Sequence, residues 1–118
     1  MAYAAAFDTL TSGGTMPKTA IFAKLTAQPG KGEELLAGLS AMLGPVQDEK
    51  GTELYVLHVS EGEPDVVRVY EVYTDGDAVA AHMGSEAMKA AGAAMAAVMG
   101  APPEITMTTI VSAKGLEV

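Results

Sequence analysis

Four short stretches of the chain carry alternating or nearly continuous apolar residues, the pattern that predicts β-strands. They span residues 19–26, 54–59, 66–73 and 104–112. The third stretch is rich in β-branched and aromatic residues, which are enriched in strands. Because only the short polar segment 61–65 separates the second stretch from the third, we expect these two strands to form an antiparallel hairpin.

A first helix is predicted between the first two strands. Apolar residues recur there at the spacing of one helical face, and they are Leu35, Leu36, Leu39, Met42 and Leu43. Gly44 and Pro45 follow, and the proline would end or bend this helix.

A second helical region is predicted between the third and fourth strands. The carboxylate of Asp75 can cap a short helix over residues 78–83. Gly84 interrupts that helix, and Ser85 can cap another one. The apolar face of this last helix comprises Met88, Ala91, Met95 and Met99.

The resulting order is β-α-β-β-α-β, which predicts an α+β fold of the ferredoxin-like kind, with an antiparallel sheet and helices on one face. Several strands are apolar on both faces; Val69 and Tyr73, for example, point away from Tyr70 and Val72. Since helices can cover only one face, we expect a second copy to pack on the other, sheet to sheet, as a homodimer. The alternative is a monomer with one exposed apolar face.

Composition narrows the classes of function. The 118 residues fit one domain over residues 18–118. Residues 1–17 contrast with it in composition and are interpreted as a flexible leader or an expression scar. The absence of cysteine fits a reducing compartment, so we expect a cytoplasmic protein. The apolar stretches are all well short of the roughly 20 residues that a membrane helix requires, so we expect a soluble protein with no membrane segment. The net charge of -8 argues against a nucleic-acid partner. The two histidines lack zinc-site spacing, so no metal site is predicted.

Four short motifs follow one another along the chain: Gly51-x-x-x-Tyr55, Glu71-Val72-Tyr73, His82 with Ser85 three residues on, and Pro102-Pro103-Glu104. In this order and spacing they resemble the antibiotic biosynthesis monooxygenase family, over about residues 18–112. The sequence departs from the family pattern at Tyr73, where members commonly carry Trp, and in having no Asn at all.

The resemblance implies a dimeric α/β barrel, in which two ferredoxin-like sheets face each other and each subunit has a pocket between its sheet and helices. Several family members oxidise electron-rich phenols or quinols with molecular oxygen and without metal or flavin. Others isomerise small phosphorylated diketones, and relatives degrade haem.

His82, Glu71 and Tyr73 are the candidate catalytic residues. A neutral His82 imidazole could take the proton of a phenol and leave an electron-rich phenolate, or it could be a structural histidine. Glu71 could orient His82, act as the base itself, or form a buried pair with Lys24 or Arg68. Tyr73 could bond a quinone oxygen, form a cavity wall or pack across the strands.

The candidate pocket residues are mainly apolar. Tyr55 would line the pocket or the dimer face, whereas His58 lies on the opposite face of the same strand and is expected at the surface or an interface. The remaining predicted wall residues are Phe22, Met88, Met95 and Met99, which could equally be ordinary core.

The sequence thus predicts a cofactor-independent monooxygenase that acts on a phenolic or quinol-type small molecule. Two alternatives stay open. One is a dimeric domain that binds a small aromatic or quinone-like ligand without turnover. The other is an isomerase of a small carbonyl compound, for which a glutamate and a histidine would suffice to move protons.

Overall fold

A computed structural model describes residues 17–118 and confirms the predicted ferredoxin-like α+β fold. The strands are β1 (Thr19–Thr26), β2 (Thr52–Ser60), β3 (Glu63–Tyr73) and β4 (Glu104–Thr109), and the helices are α1 (Gly32–Ala41), α2 (Leu43–Gln47), α3 (Gly76–Met83) and α4 (Glu86–Ala96). The strands form one antiparallel sheet in the order β2-β3-β1-β4. The predicted leader lies almost entirely outside the described residues. Within them, no helix is long and apolar enough to cross a membrane.

One face of the sheet packs on the helices and forms the core. Leu25 of β1 is paired with Val67 of β3, and both pack with Leu35 and Leu39 of α1. Because Leu35 and Leu39 are one helical turn apart, the apolar stripe of α1 covers this face, as its sequence predicts. Burial of each such side chain contributes about 1.5–3 kcal/mol to folding.

The start of α1 is held tightly against β3. The Asp65 carboxylate accepts hydrogen bonds from the backbone N–H of Gly30 and of Gly32, at 3.1 and 3.0 Å. The backbones approach so closely that a Cβ on Gly32 would lie 1.9 Å from the carbonyl oxygen of Pro64. A glycine is therefore required at this crossing, which fixes where the helix begins.

The boundaries of several elements differ from the predicted ones. The hairpin turn comprises only residues 61–62, because β3 already begins at Glu63. The first helix breaks at Met42, where Pro45 has no N–H to offer the carbonyl of Ala41. Helix α4 ends at Ala96, so Met99 lies beyond the helix. Met99 instead forms a β-bridge with Ala27, the residue that follows β1. Strand β4 ends at Thr109 rather than at residue 112.

The other face of the sheet carries exposed apolar side chains in the described chain. Phe22 is 52% exposed, and its ring lies 4.9 Å from that of Tyr70. Leu54 and Val56 of β2 are exposed on the same face. We call the face that bears Phe22, Leu54, Val56 and Tyr70 the open face of the sheet.

Candidate active site

A cavity of about 420 Å³ lies between the helix-covered face of the sheet and helices α1, α3 and α4. Its walls are mostly apolar. The apolar lining residues of the sheet are Ile21, Ala23, Leu25, Val69 and Ile105. Five methionines also line the cavity, namely Met42, Met83, Met88, Met95 and Met99. Among residues 17–118, three ionisable side chains line the cavity: Tyr55, Glu71 and His82. The cavity thus combines an adaptable apolar body with a few polar groups, the usual composition of a small-molecule site.

Glu71 is a buried carboxylate on β3. It lies between Ile21 of β1 and Tyr55 of β2 in the sheet register and points to the cavity side. The Tyr73 hydroxyl donates a hydrogen bond of 2.5 Å to Glu71 Oε1. Burial raises the pKa of Glu71 above its usual range, and this outweighs the Tyr73 hydrogen bond and the nearby His82, which both lower it.

Neither of the basic partners predicted for Glu71 is found beside it. Lys24 lies 3.8 Å from Glu104, and Arg68 lies 2.9 Å from Glu63. Both basic residues alternate with Glu71 along the sheet and therefore point to the open face. The carboxylate is instead held by the Tyr73 hydroxyl and faces an imidazole.

His82 is 2% exposed and lies in the last turn of α3. Asp75 caps the start of this helix through the Ala78 N–H, as predicted. The Ser85 hydroxyl donates to the His82 carbonyl at 2.7 Å and accepts from the Met88 N–H at 3.1 Å, so it caps α4 and joins the two helices at the histidine. These caps fix the backbone that carries the imidazole.

The His82 ring lies between two carboxylates. Its Nδ1 is 2.8 Å from Glu49 Oε1, and its Nε2 is 3.6 Å from Glu71 Oε1. The ring also packs on two tyrosines, with centroid distances of 5.8 Å to Tyr55 and 5.4 Å to Tyr73. An imidazole between two carboxylates is well placed to accept a proton, because either carboxylate can stabilise the resulting cation.

Glu49 is the member of this cluster that sequence reasoning missed. It lies in the connector between α2 and β2, and its Oε1 also accepts a 2.7 Å hydrogen bond from the Thr52 hydroxyl. The connector approaches α3 closely, since a Cβ on Gly51 would lie 2.4 Å from the Ala78 Cβ. Nothing in the spacing of Glu49 relative to His82, 33 residues later, signals this contact.

The two tyrosines occupy different positions. Tyr55 lines the cavity, and burial, followed by the charges of Glu71 and Glu49, raises its pKa above the usual range. It therefore remains a hydrogen-bond donor at neutral pH. Tyr73 is fully buried and does not line the cavity. Tyr73 therefore does not form the predicted cavity wall, and its hydroxyl is directed to Glu71.

The predicted pocket residues are only partly brought together. Met88, Met95 and Met99 line the cavity together with Tyr55. Phe22 does not, because it alternates with Ile21 and Ala23 and therefore lies on the open face. His58 also lies on the open face, with its Nδ1 3.2 Å from the Arg68 carbonyl oxygen. The sheet therefore separates His58 from His82, which lines the cavity on the other face. Among residues 17–118, no three acidic, histidine or cysteine side chains are arranged to hold a metal ion.

Comparison with known proteins gives a matching family model and similar solved structures. The model of the antibiotic biosynthesis monooxygenase family matches residues 19–94. A Caulobacter crescentus structure, described as that of a proposed antibiotic biosynthesis monooxygenase, is 33% identical, with a TM-score of 0.70 over 83% of this chain and 93% of the other. A Nitrosomonas europaea protein of unknown function is 27% identical, with a TM-score of 0.75 over 89% of this chain and 100% of the other. No protein with a curated description matches significantly.

Proposed function

Because the chain belongs to the antibiotic biosynthesis monooxygenase family, we propose that it oxidises a small phenolic or quinol-type molecule with molecular oxygen, without a metal or organic cofactor. The observation that carries this proposal is the pair of Glu71 and His82 in the lining of a mostly apolar cavity. A general base next to a dry binding surface is what such chemistry requires.

The cavity fits a compact aromatic molecule. Its volume of about 420 Å³ falls within the range of roughly 300–1,000 Å³ typical of small-molecule sites. Methionine side chains on the wall can adapt to the faces of a ring system, because their thioethers are flexible and polarisable. The polar atoms of Tyr55, Glu71 and His82 would then select a molecule with a hydroxyl group at one edge.

Deprotonation is the step that the protein itself performs in this proposal. The Nε2 atom of His82 accepts the proton of the substrate hydroxyl, and the adjacent Glu71 stabilises the resulting imidazolium. The phenolate left behind gives electrons to oxygen far more readily than the neutral phenol does. For a substrate with a reactive ring CH₂ group, one oxygen atom forms the new carbonyl, and the other leaves as water with the two displaced hydrogens.

The lining argues against a phosphorylated substrate. None of the described lining residues is Lys or Arg, so the cavity offers no cation for a phosphate group. Isomerisation of a phosphorylated carbonyl compound is therefore disfavoured. Binding without turnover is the second candidate, favoured by Tyr73 at a position where family members commonly carry Trp and by the absence of Asn.

Oxygen uptake by the purified protein tests the proposal. The protein is incubated with a panel of hydroquinones and anthrones, and oxygen consumption is followed together with ligand binding. We expect uptake that is lost in His82→Ala and retained in His58→Ala, the matched control on the open face. Tight binding without oxygen uptake would instead identify a binding protein. Uptake that survives His82→Ala would remove the proposed base.

We also propose that the chain works as a homodimer that pairs through the open face. The exposed Phe22, Leu54 and Val56 support this proposal, because apolar side chains concentrated on one sheet face favour association. A two-fold dimer covers the same face of both subunits with one contact. Sedimentation of the purified chain as a monomer at micromolar concentration would refute it.

A further inference from the structure

Glu49 contacts the candidate base without lining the cavity. Its carboxylate is bonded to the Nδ1 atom of His82, on the side of the ring opposite to Glu71. We infer that Glu49 is a positioning residue that holds the proton of neutral His82 on Nδ1 and so leaves the Nε2 lone pair facing the cavity. This inference rests on the proposed role of His82 as the base.

The donors and acceptors around Glu49 determine which nitrogen carries the proton. An ionised carboxylate only accepts hydrogen bonds. Its Oε1 accepts one from the Thr52 hydroxyl at 2.7 Å, and the His82 Nδ1 lies 2.8 Å from the same oxygen. Nδ1 must therefore donate. In a neutral imidazole, one nitrogen donates and the other accepts, so Nε2 keeps its lone pair.

The other side of the ring is consistent with this assignment. Nε2 lies 3.6 Å from Glu71 Oε1, which is longer than a hydrogen bond. That oxygen already accepts the hydroxyl of Tyr73. The Nε2 lone pair is thus near Glu71 but not tied to it, and a substrate hydroxyl can approach it from the cavity.

Loss of Glu49 would remove this preference. Without an acceptor at Nδ1, the ring proton can move to Nε2, and a histidine protonated there has no lone pair for the substrate proton. A charged acceptor at Nδ1 also stabilises the imidazolium that forms once the proton is taken. A base that is oriented by a third group is a recurring arrangement in enzymes that activate hydroxyl groups.

Nitrogen NMR of the histidine rings tests the inference directly. The chain has two histidines, so His58→Gln leaves the ring signals of His82 alone in the spectrum. At a pH where the ring is neutral, we expect a protonated Nδ1 and an unprotonated Nε2. In Glu49→Leu, the pattern should shift toward a protonated Nε2, whereas Asp48→Asn, an exposed neighbour in the same connector, should leave it unchanged.

Two results would overturn the inference: a protonated Nε2 in the parent protein, or an unchanged tautomer in Glu49→Leu. If Glu49→Leu fails to fold, the first measurement still decides. Neither NMR measurement needs turnover, so a His82 protonated on Nδ1 in a protein that consumes no oxygen would refute only the proposed function.

Where oxygen uptake is found, Glu49→Leu should lower kcat by roughly 10²-fold with little change in KM, because a base contributes about 10²–10⁴-fold and Glu49 does not touch the cavity. Glu49→Asp should restore part of kcat.

Discussion

Replacement of Tyr73 by Phe removes one hydroxyl from the interior and leaves the rest of the side chain in place. That hydroxyl donates to Glu71 Oε1 at 2.5 Å, and both residues are buried. The change therefore isolates the hydrogen bond that holds the candidate catalytic carboxylate. We expect Tyr73→Phe to destabilise the fold and to raise the pKa of Glu71 further.

The magnitude follows from the charge of the acceptor. A hydrogen bond to an ionised group contributes about 1.5–3 kcal/mol, whereas one between neutral groups contributes about 0.5–1.5 kcal/mol. The hydroxyl leaves only a small void, so packing adds little. We therefore expect the free energy of unfolding to fall by about 1.5–3 kcal/mol where Glu71 is ionised, and by about half of that where it is protonated.

The pH dependence has a definite sign. Burial raises the folded-state pKa of Glu71 above its unfolded value, so the protonated carboxyl favours the folded state. Its stabilising contribution is full below the unfolded pKa of about 4.3 and is lost as pH rises through the folded pKa. Because Tyr73→Phe removes a donor that lowers the Glu71 pKa, the difference in stability between variant and parent should increase over this same rise in pH.

Urea unfolding over a pH series measures both quantities, since the midpoint and slope give the free energy of unfolding at each pH. Tyr70→Phe is the matched control, because Tyr70 lies on the same strand but on the open face, and its hydroxyl has no hydrogen-bond partner in the described chain. A Tyr73→Phe cost equal to that of Tyr70→Phe, or one that does not change with pH, would refute the reasoning about Glu71.

Three further predictions concern the cavity wall, the open face and the start of α1. Gly92 lines the cavity, and no neighbouring atom lies within 4 Å of the position that a Cβ would occupy. Gly92→Ala should stabilise α4 by about 0.5–1 kcal/mol in thermal unfolding, whereas Gly92→Leu should fill part of the cavity and weaken ligand binding at least several-fold in calorimetric titration. Phe22→Lys should shift the sedimenting species from dimer to monomer without loss of helical circular dichroism, and a parent protein that is already monomeric would contradict this. Gly32→Ala should cost about 1–3 kcal/mol in urea unfolding, because its Cβ would collide with the Pro64 carbonyl; Gly44→Ala, with open space around its Cβ, is the control.

The layout of the fold could be predicted because local patterns determine it. The alternation along β3 and the apolar stripe of α1 each report which face is buried, and a period of two or of 3.6 residues needs no knowledge of distant contacts. Boundaries were less predictable. Residues 63–65 are polar and resemble a turn, yet they belong to β3. Glu63 pairs with Ser60 of β2, and the Asp65 carbonyl accepts a 2.8 Å hydrogen bond from the Ala27 N–H.

The candidate site was predictable only where its members follow the strand period. Glu71 and Val69 share a face because they are two residues apart, and Met88 and Met95 share one because they are two helical turns apart. Phe22 is predicted as a wall residue of the pocket, yet it lies on the open face, opposite to Ile21. Local periodicity shows that two residues lie on opposite faces, but only the packed structure shows which face the helices cover.

The substitution of Tyr73 for the tryptophan common in the family has a physical reading in this arrangement. Tyrosine and tryptophan both combine a large flat ring with a single hydrogen-bond donor. In this chain, the donor is directed to Glu71 and not to the cavity. Under the proposed function, Tyr73 therefore acts on the substrate only through the carboxylate that it holds. The exchange of Trp for Tyr keeps a hydrogen-bond donor at this position but places it on a smaller side chain. The identity of residue 73 bears on the pKa of Glu71, whereas under the proposed function the choice of substrate depends on the cavity wall, where Tyr55 and the methionines lie.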